Sequence, residues 1–363
     1  MRIALLHPTY WPEVRRGSER LAHDLGLTLA ARGHEVTVLT AHDGPGAVAE
    51  EHGVVVDRAR RPSRRLGLHL YEDHLENAPS IVRRLLRGGF ELAHALYPAD
   101  GWAAAIARRL GGPPVVLSIH GILDRPWLVA RRRRAEMIRA AAAAAAATTT
   151  LSEAAAAPLR RYALGDPLVL PGGVLAERFA GPRTSPGEPL LLCPASLGAP
   201  RQRGPQLVEA FARVRDQLGD ARLLLAGGRD PFTRYELPSL PPGAEAVDAG
   251  PERLAELYRS ASVTVLPSLN EAFGLVLVES LAAGTPVVAA RSGACPEVVA
   301  DDVGRLFEPD DVGDLARAIN AAIELAGQPE TAERCRAHAD RWDWGTVVER
   351  YEAVYTGAVR SGR

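Results

Sequence analysis

Lysine is absent from this chain. All 43 basic residues other than histidine are arginines, so any phosphate-binding cation here must be a planar, bidentate guanidinium. Cysteine is scarce: Cys193, Cys295 and Cys335 form neither a CxxC pair nor an even-numbered framework. That excludes a disulfide-stapled scaffold and fits a reducing cytosol. No apolar run approaches the roughly 18 residues of a membrane span. The run Ala140 to Ala147 reads as helix, alanine being the strongest helix former. No signal peptide is expected, since Arg2 leads directly into Ile3-Ala4-Leu5-Leu6. Excess charge of one sign is also lacking: the formal net charge of −1 gives no global field to draw nucleic acid or membrane.

Several chemistries lack their signatures. The ten histidines show no HExxH and no His/Cys metal spacing. No GxSxG elbow, Walker loop or DxD pair occurs, so neither a metal ion nor a resident cofactor is expected. Gly44 to Ala49 formally matches GxGxxA, but it follows the second strand and contains Pro45. A dinucleotide fingerprint belongs after the first strand, at a helix start.

What is present is alternation. At 363 residues and 47% apolar content, the chain has room for about two domains with ample cores. Arg2 to His7, Val36 to Thr40, Leu92 to Leu96, Val115 to Ile119, Thr148 to Leu151 and Leu168 to Leu170 read as strands, with Ser18 capping a helix that runs to Arg32. Strands alternating with helices predict a parallel, doubly wound sheet. A Gly/Pro-rich stretch from Pro171 to Gly187 reads as a linker. The pattern then restarts at Leu190 to Cys193 and continues through Arg222 to Ala226, Ser262 to Leu266 and Val287 to Ala290. The predicted class is α/β: two Rossmann-like domains, 1–180 and 186–340, facing across a cleft, with 341–363 as a last helix. Trp344, Val347, Val348, Tyr351 and Val354 share one face of that helix.

The most informative segment runs from Pro267 to Glu279. It reads as strand end, short loop and helix, with Gly284 and Pro286 stopping the helix in the expected order. Glu271 then lies on the loop and Glu279 about a turn and a half inside the helix. Free N–H groups near Phe273 to Val276 offer an anion site between the two carboxylates. Carboxylates hold hydroxyls rather than phosphate, and a nucleotide sugar supplies both groups.

Three other loops stand at strand ends. His7 to Gly17 leads into the first helix and carries Arg15, Arg16 and Gly17. His120 ends a strand and precedes Gly121. Ser196 to Gly204 carries Arg201 and Arg203 ahead of a helix, where a guanidinium could neutralise a diphosphate. Each has an ordinary structural explanation too: a plain βα loop, a hydrogen-bonded histidine, a solvated loop.

Taken together these residues resemble glycosyltransferase family 4, a retaining group with the GT-B fold. The resemblance covers nearly the whole length. It is carried by Pro267-Ser268 through Glu279, then Ala283-Gly284-Thr285-Pro286 and Pro296-Glu297-Val298-Val299. Pro12, Gly17, Glu19 and Arg32-Gly33-His34-Glu35 also match, as do Ser118 to Gly121, Leu170 to Val174 with Phe179, and Trp344 with Tyr351. The resemblance implies a metal-independent hexosyltransferase acting from a UDP- or GDP-sugar. It implies that Glu279 binds the ribose hydroxyls and Glu271 those of the donor sugar. Ala272 and the N–H groups of Phe273, Gly274 and Leu275 would meet sugar and diphosphate oxygens. His120 would lie at the donor sugar and Gly17 close to the diphosphate. Asp248, Ala249 and Gly250 would cover the base, and Arg203 or Arg201 would serve the diphosphate, with His120, Glu271 and Arg203 as the catalytic set. The sequence departs from the family where Arg16 precedes a single Gly17, where Ser196 stands in place of an arginine, and where Ser292-Gly293-Ala294 replaces paired glycines.

Acceptors would contact the first domain around Trp11, Tyr97 and Trp127, whose rings could stack on a sugar. A small molecule, a glycoside or a glycolipid would fit. The expected location is cytoplasmic, with peripheral contact at the inner membrane face, through Arg131 to Arg134, as the alternative. The arginine-for-lysine composition hints at an actinobacterial source. A phosphorylase or nucleotide-sugar epimerase on the same fold, a non-catalytic nucleotide-sugar binder and an NAD oxidoreductase are the competing readings. Release of glucose 1-phosphate would mark the first, absence of donor hydrolysis the binder, and cofactor binding the last.

Overall fold

The computed structural model describes residues 1–61, 74–131, 133–184, 187–195, 197, 199–227 and 240–362. The chain divides into two units, Met1–Gly173 with Trp344–Arg363, and Val174–Asp343. The divisions therefore fall at Gly173/Val174, inside the linker stretch and ahead of the expected boundary at residue 180, and at Asp343/Trp344, just after residue 340.

The first unit is built on β1 (Arg2–Leu6), β2 (Glu35–His42), β3 (Ala47–Glu51), β4 (Val54–Arg60), β5 (Leu92–Ala95), β6 (Val115–Ile119), β7 (Ala147–Thr150) and β8 (Leu168–Val169). Its helices are α1 (Gly17–Ala31), α2 (Ala78–Arg87), α3 (Pro98–Arg109), α4 (Arg125–Val129), α5 (Arg134–Ala144) and α6 (Glu153–Arg161). The strand order is β3-β4-β2-β1-β5-β6-β7-β8, and every pairing but β3 with β4 is parallel. All five residues of β6 are buried, as a parallel strand covered on both faces requires.

The β3–β4 hairpin was not legible. Its two-residue turn, His52-Gly53, has φ of 52° and 80°, the geometry of a primed hairpin turn. But β3 is an edge strand with four exposed residues and two glutamates, so it shows no apolar alternation. The formal GxGxxA run, Gly44 to Ala49, leads into β3 and opens no helix.

The second unit has β9 (Leu190–Cys193), β10 (Arg222–Leu225), β11 (Ala244–Ala246), β12 (Val263–Leu266), β13 (Val287–Ala290) and β14 (Gly304–Phe307). Its helices are α7 (Gly204–Leu218), α8 (Pro251–Ser260), α9 (Leu275–Ala282), α10 (Cys295–Val298), α11 (Val312–Ala326) and α12 (Thr331–Ala339). The order β11-β10-β9-β12-β13-β14 is wholly parallel. Leu191, Leu223, Val265 and Val288 from four strands pack with Leu207, Phe211 and Ile319 from the covering helices. The last helix, α13 (Trp344–Ser361), belongs to the first unit, where Tyr351 donates to the Pro171 carbonyl at 3.2 Å. Tyr355, rather than Val354, completes its buried face.

Both sheets reverse direction of winding, the first between β1 and β5, the second between β9 and β12. Loops leaving the carboxyl ends of the strands on either side of such a switch point are where open α/β sheets bind ligands.

Candidate active site

At the second unit's switch point, the loop after β9 meets the loop after β12. Leu269 donates its N–H to the Arg201 carbonyl at 2.8 Å, and the Arg201 guanidinium donates to Glu271 Oε1 at 3.0 Å. Both side chains are partly open to solvent, at 55% and 23% exposure. An ion pair of that kind contributes about 0–1 kcal/mol, so a ligand could displace it at little cost. Arg203 behaves differently. It is the residue ahead of α7, has φ of 54°, and pairs with Asp310 at 2.6 Å. The structure therefore joins Arg201, not Arg203, to Glu271.

The Glu271 loop is held from behind. Asn270 has φ of 55° and donates its N–H to Ser292 Oγ at 3.1 Å, while Ala294 donates to the Glu271 carbonyl at 2.8 Å. A Cβ on Gly293 would lie 2.4 Å from that carbonyl oxygen. Gly293 is thus the position where the departure from paired glycines could not extend, and Ser292 supplies a hydrogen bond instead.

Gly274, with φ of +85°, is the N-cap of α9 and makes no side-chain cap, a conformation that glycine adopts freely. The helix begins at Leu275, two residues later than the apolar spacing suggested. Glu279 is its fifth residue, about one turn in. It is 3% exposed and accepts from the Tyr258 hydroxyl at 2.8 Å. Ala272 and Phe273 are buried, Phe273 edge-on to Trp342 at 6.2 Å. Asp248, Ala249 and Gly250 lie after β11, with Gly250 as the N-cap of α8. Ser196 lies outside the described residues.

In the first unit, the loop after β1 carries a buried polar cluster. Glu19, fully buried, accepts from Thr9 at 2.7 Å, from Ser18 at 2.8 Å and from Arg16 at 2.6 Å. Ser18 therefore does not cap α1 as expected; its hydroxyl is drawn to Glu19, and Arg16 is the N-cap, with no side-chain capping bond to the backbone. Burial works against the charge of Glu19. His7, Arg16 and the Thr9 hydroxyl outweigh it and hold the carboxyl below its ordinary range. Gly17 is exposed at the helix start, with open space around its Cα.

In the same unit, His7 follows β1 and His120 follows β6. His7 Nδ1 lies 2.5 Å from the Thr9 carbonyl. Among the described residues, His7 Nε2 and both ring nitrogens of His120 are buried without a partner, so His120 is not the satisfied structural histidine its position also allowed. Burial, with the nearby charge of His7, lowers its titration to about 3, and burial likewise lowers His7. Two of the expected acceptor rings are partly covered: Arg20 sits 5.1 Å from the Trp11 ring centre and Arg134 3.9 Å from that of Trp127. Tyr97 meets His7 and His74 edge-on at 6.2 and 5.6 Å. Sequence reasoning named His7 only as the start of the first loop and gave it no role, although its partner Thr9 is two residues on, and it missed Tyr258, whose partner Glu279 lies 21 residues further along the chain.

Two family models match the chain one after the other. Residues 15–178 match Glycosyltransferase Family 4, and residues 179–342 match Glycosyl transferases group 1. The chain belongs to glycosyltransferase family 4. The chain is similar to D-inositol 3-phosphate glycosyltransferases from Acidothermus cellulolyticus, 42% identical over 114 residues, and from Mycolicibacterium smegmatis, 34% identical over 173. These alignments cover 31% and 43% of this chain, and the chain spans 25% and 38% of the relatives' length. Sucrose-phosphate synthase from Thermosynechococcus elongatus has a similar fold, with a TM-score of 0.81 at 24% identity over 99% of both chains. Anabaena HepE, solved with UDP and glucose, aligns over 98% of this chain and 99% of its own, with a TM-score of 0.76 at 20% identity. These likenesses establish the GT-B fold for this family 4 chain. Among its described residues, no helix is long and apolar enough to cross a membrane.

Proposed function

We propose that this protein transfers a hexosyl group from a UDP- or GDP-sugar to an acceptor hydroxyl, with retention of anomeric configuration and without a metal ion. The observation that carries the reading is the arrangement of Arg201, Glu271 and Glu279 around the glycine-capped start of α9, at the switch point of the second sheet. The helix start attracts the diphosphate, Arg201 neutralises it, and the two carboxylates take hydroxyls of the sugar and the ribose. Each hydroxyl-to-carboxylate bond is worth about 1.5–3 kcal/mol.

Negative charge grows on the leaving diphosphate while positive charge grows at the anomeric carbon. Donors fixed in advance at a developing anion are often the largest catalytic term, and removing one commonly costs about 10²–10³ in rate. Neither glutamate need act as a nucleophile: same-face attack lets the leaving phosphate oxygen take the acceptor's proton. His120 of the first unit is assigned to the transferred sugar, and Gly17 to the diphosphate. The relative solved with UDP and glucose supports a uridine nucleotide as the first donor to try.

A thermal-shift screen of UDP-sugars against GDP-sugars tests the donor assignment, and proton NMR of the product tests retention. An inverted product, or activity abolished by a chelator and restored by one metal, would overturn the respective parts.

A further inference from the structure

The cluster in the first unit has a definite polarity, and that polarity bears on the acceptor. Two contacts compete at His7 Nδ1: the Thr9 carbonyl at 2.5 Å and the Thr9 N–H at 3.4 Å. A carbonyl oxygen only accepts hydrogen bonds, so the shorter contact puts the proton on Nδ1 and the longer one is not a hydrogen bond. His7 Nε2 is therefore a bare lone pair. It is buried, in a residue only 2% exposed, and no group among the described residues donates to it. The Thr9 hydroxyl, which could have been a donor, is committed to Glu19. The site thus wants a hydrogen-bond donor from outside, and a hydroxyl provides one.

The local charges point the same way. Glu19 brings a buried carboxylate beside His7, and its partner Arg16 is spent on it. Arg20 faces Asp24 at 3.6 Å, and Arg58 is shared between Glu13 at 2.9 Å and Glu51 at 2.6 Å. A phosphate brings negative charge and only acceptor oxygens in its dianionic form. At the position facing His7 Nε2 it would meet a bare imidazole lone pair with a carboxylate nearby and be repelled there. A neutral polyol meets no such penalty.

We propose that the strand-end site of the first unit recognises an uncharged, hydroxyl-rich acceptor, one of whose hydroxyls donates to His7 Nε2, and that it discriminates against the phosphorylated counterpart. This rests on the glycosyltransfer reading above and assigns its acceptor class. His7 is a specificity residue here, and Tyr97, edge-on to the His7 ring, lies beside the same position.

The test uses the full chain, with the donor that the thermal-shift screen selects. Release of nucleoside diphosphate is followed with matched pairs: myo-inositol against inositol 3-phosphate, and glucose against glucose 6-phosphate. The uncharged member of at least one pair should stimulate release about tenfold more than its phosphorylated partner, the effect of one well-placed bond gained or lost. The His7→Ala variant should raise the KM for that acceptor by about tenfold while moving the donor KM much less, and His7→Gln, which restores an acceptor atom, should recover part of the loss. Preference for the phosphorylated member, or stimulation by neither member of either pair while the donor is still hydrolysed, overturns the proposal. So does an unchanged acceptor KM in folded His7→Ala. Absence of any donor cleavage would instead strike the glycosyltransfer reading on which it rests.

Discussion

The Tyr258 hydroxyl donates to the Glu279 carboxylate at 2.8 Å, and both residues are almost fully buried. A carboxylate in that setting needs its partners, since an unsatisfied buried charge is strongly unfavourable. Tyr258 itself is fixed by Phe179 edge-on at 5.7 Å, and its carbonyl accepts from Thr285 at 2.6 Å. The ring therefore aims one oxygen of Glu279 and holds the side chain in a single orientation.

Tyr258→Phe removes that donor. It should lower unfolding free energy by about 1–3 kcal/mol, the range for hydrogen bonds to charged groups. It should also raise the donor KM more than it lowers kcat. Urea denaturation and donor kinetics check both. An unchanged donor KM would separate Tyr258 from the binding role of Glu279.

Arg201→Ala should cost more activity than Arg203→Ala. The Arg201–Glu271 pair is exposed enough that its loss changes stability by at most about 1 kcal/mol, so kinetics of the two variants can be compared without a folding correction. A larger loss in Arg203→Ala would return the diphosphate role to Arg203 and imply that its bond to Asp310 breaks on binding.

Gly293→Ala should displace the Glu271 loop. The added Cβ would meet the Glu271 carbonyl at 2.4 Å and its N–H nitrogen at 2.7 Å, and the φ of +57° is strained for any side chain. Such strain costs on the order of 1–3 kcal/mol. The expected result is a lower melting temperature together with weakened donor binding. Normal donor binding would show that the loop adapts.

Stability should peak near pH 6.5. Burial lowers His94 and His120 to about 3 from an ordinary 6.5. As pH falls below 6.5, the unfolded chain takes up protons that the folded chain refuses, so stability drops by up to about 1.4 kcal/mol per pH unit per histidine. Asp100 has the opposite sign. Burial raises it to about 8 from 3.8, and neither of its oxygens has a partner among the described residues. Between about pH 4 and 8 the unfolded chain lacks a proton that the folded chain keeps, so this group lowers stability with rising pH throughout that window, and above 6.5, where the histidine gain is complete, the decline is what remains. Urea midpoints between pH 4.5 and 8.5 check the peak, and Asp100→Asn should remove the alkaline decline.

Much of this arrangement was legible in the sequence because it rests on local signals. The apolar runs Leu190 to Cys193 and Val287 to Ala290 are strands at those bounds, and β12, its loop and α9 follow one another as spacing required. What was not legible depends on segments meeting across the fold. Arg201 and Arg203 are two residues apart and chemically identical. Which one faces Glu271 is decided by a single 3-10 turn at Pro200–Gln202 and the left-handed backbone of Arg203. Ser18 is a good capping residue by type, yet Glu19 beside it takes its hydroxyl. Ser262 to Leu266 announced a strand, observed from Val263, while β14 and α12 were hidden by short length and mixed polarity.

The most direct test of the donor site is the release of nucleoside diphosphate from a UDP- or GDP-sugar by the native chain and by Glu271→Gln and Glu279→Gln. Loss of a hydroxyl-to-carboxylate bond predicts a fall in kcat/KM of about 10- to 100-fold in each variant, with folding retained. Unaltered kcat/KM in both variants, or no release from any donor by the native chain, would contradict the assignment.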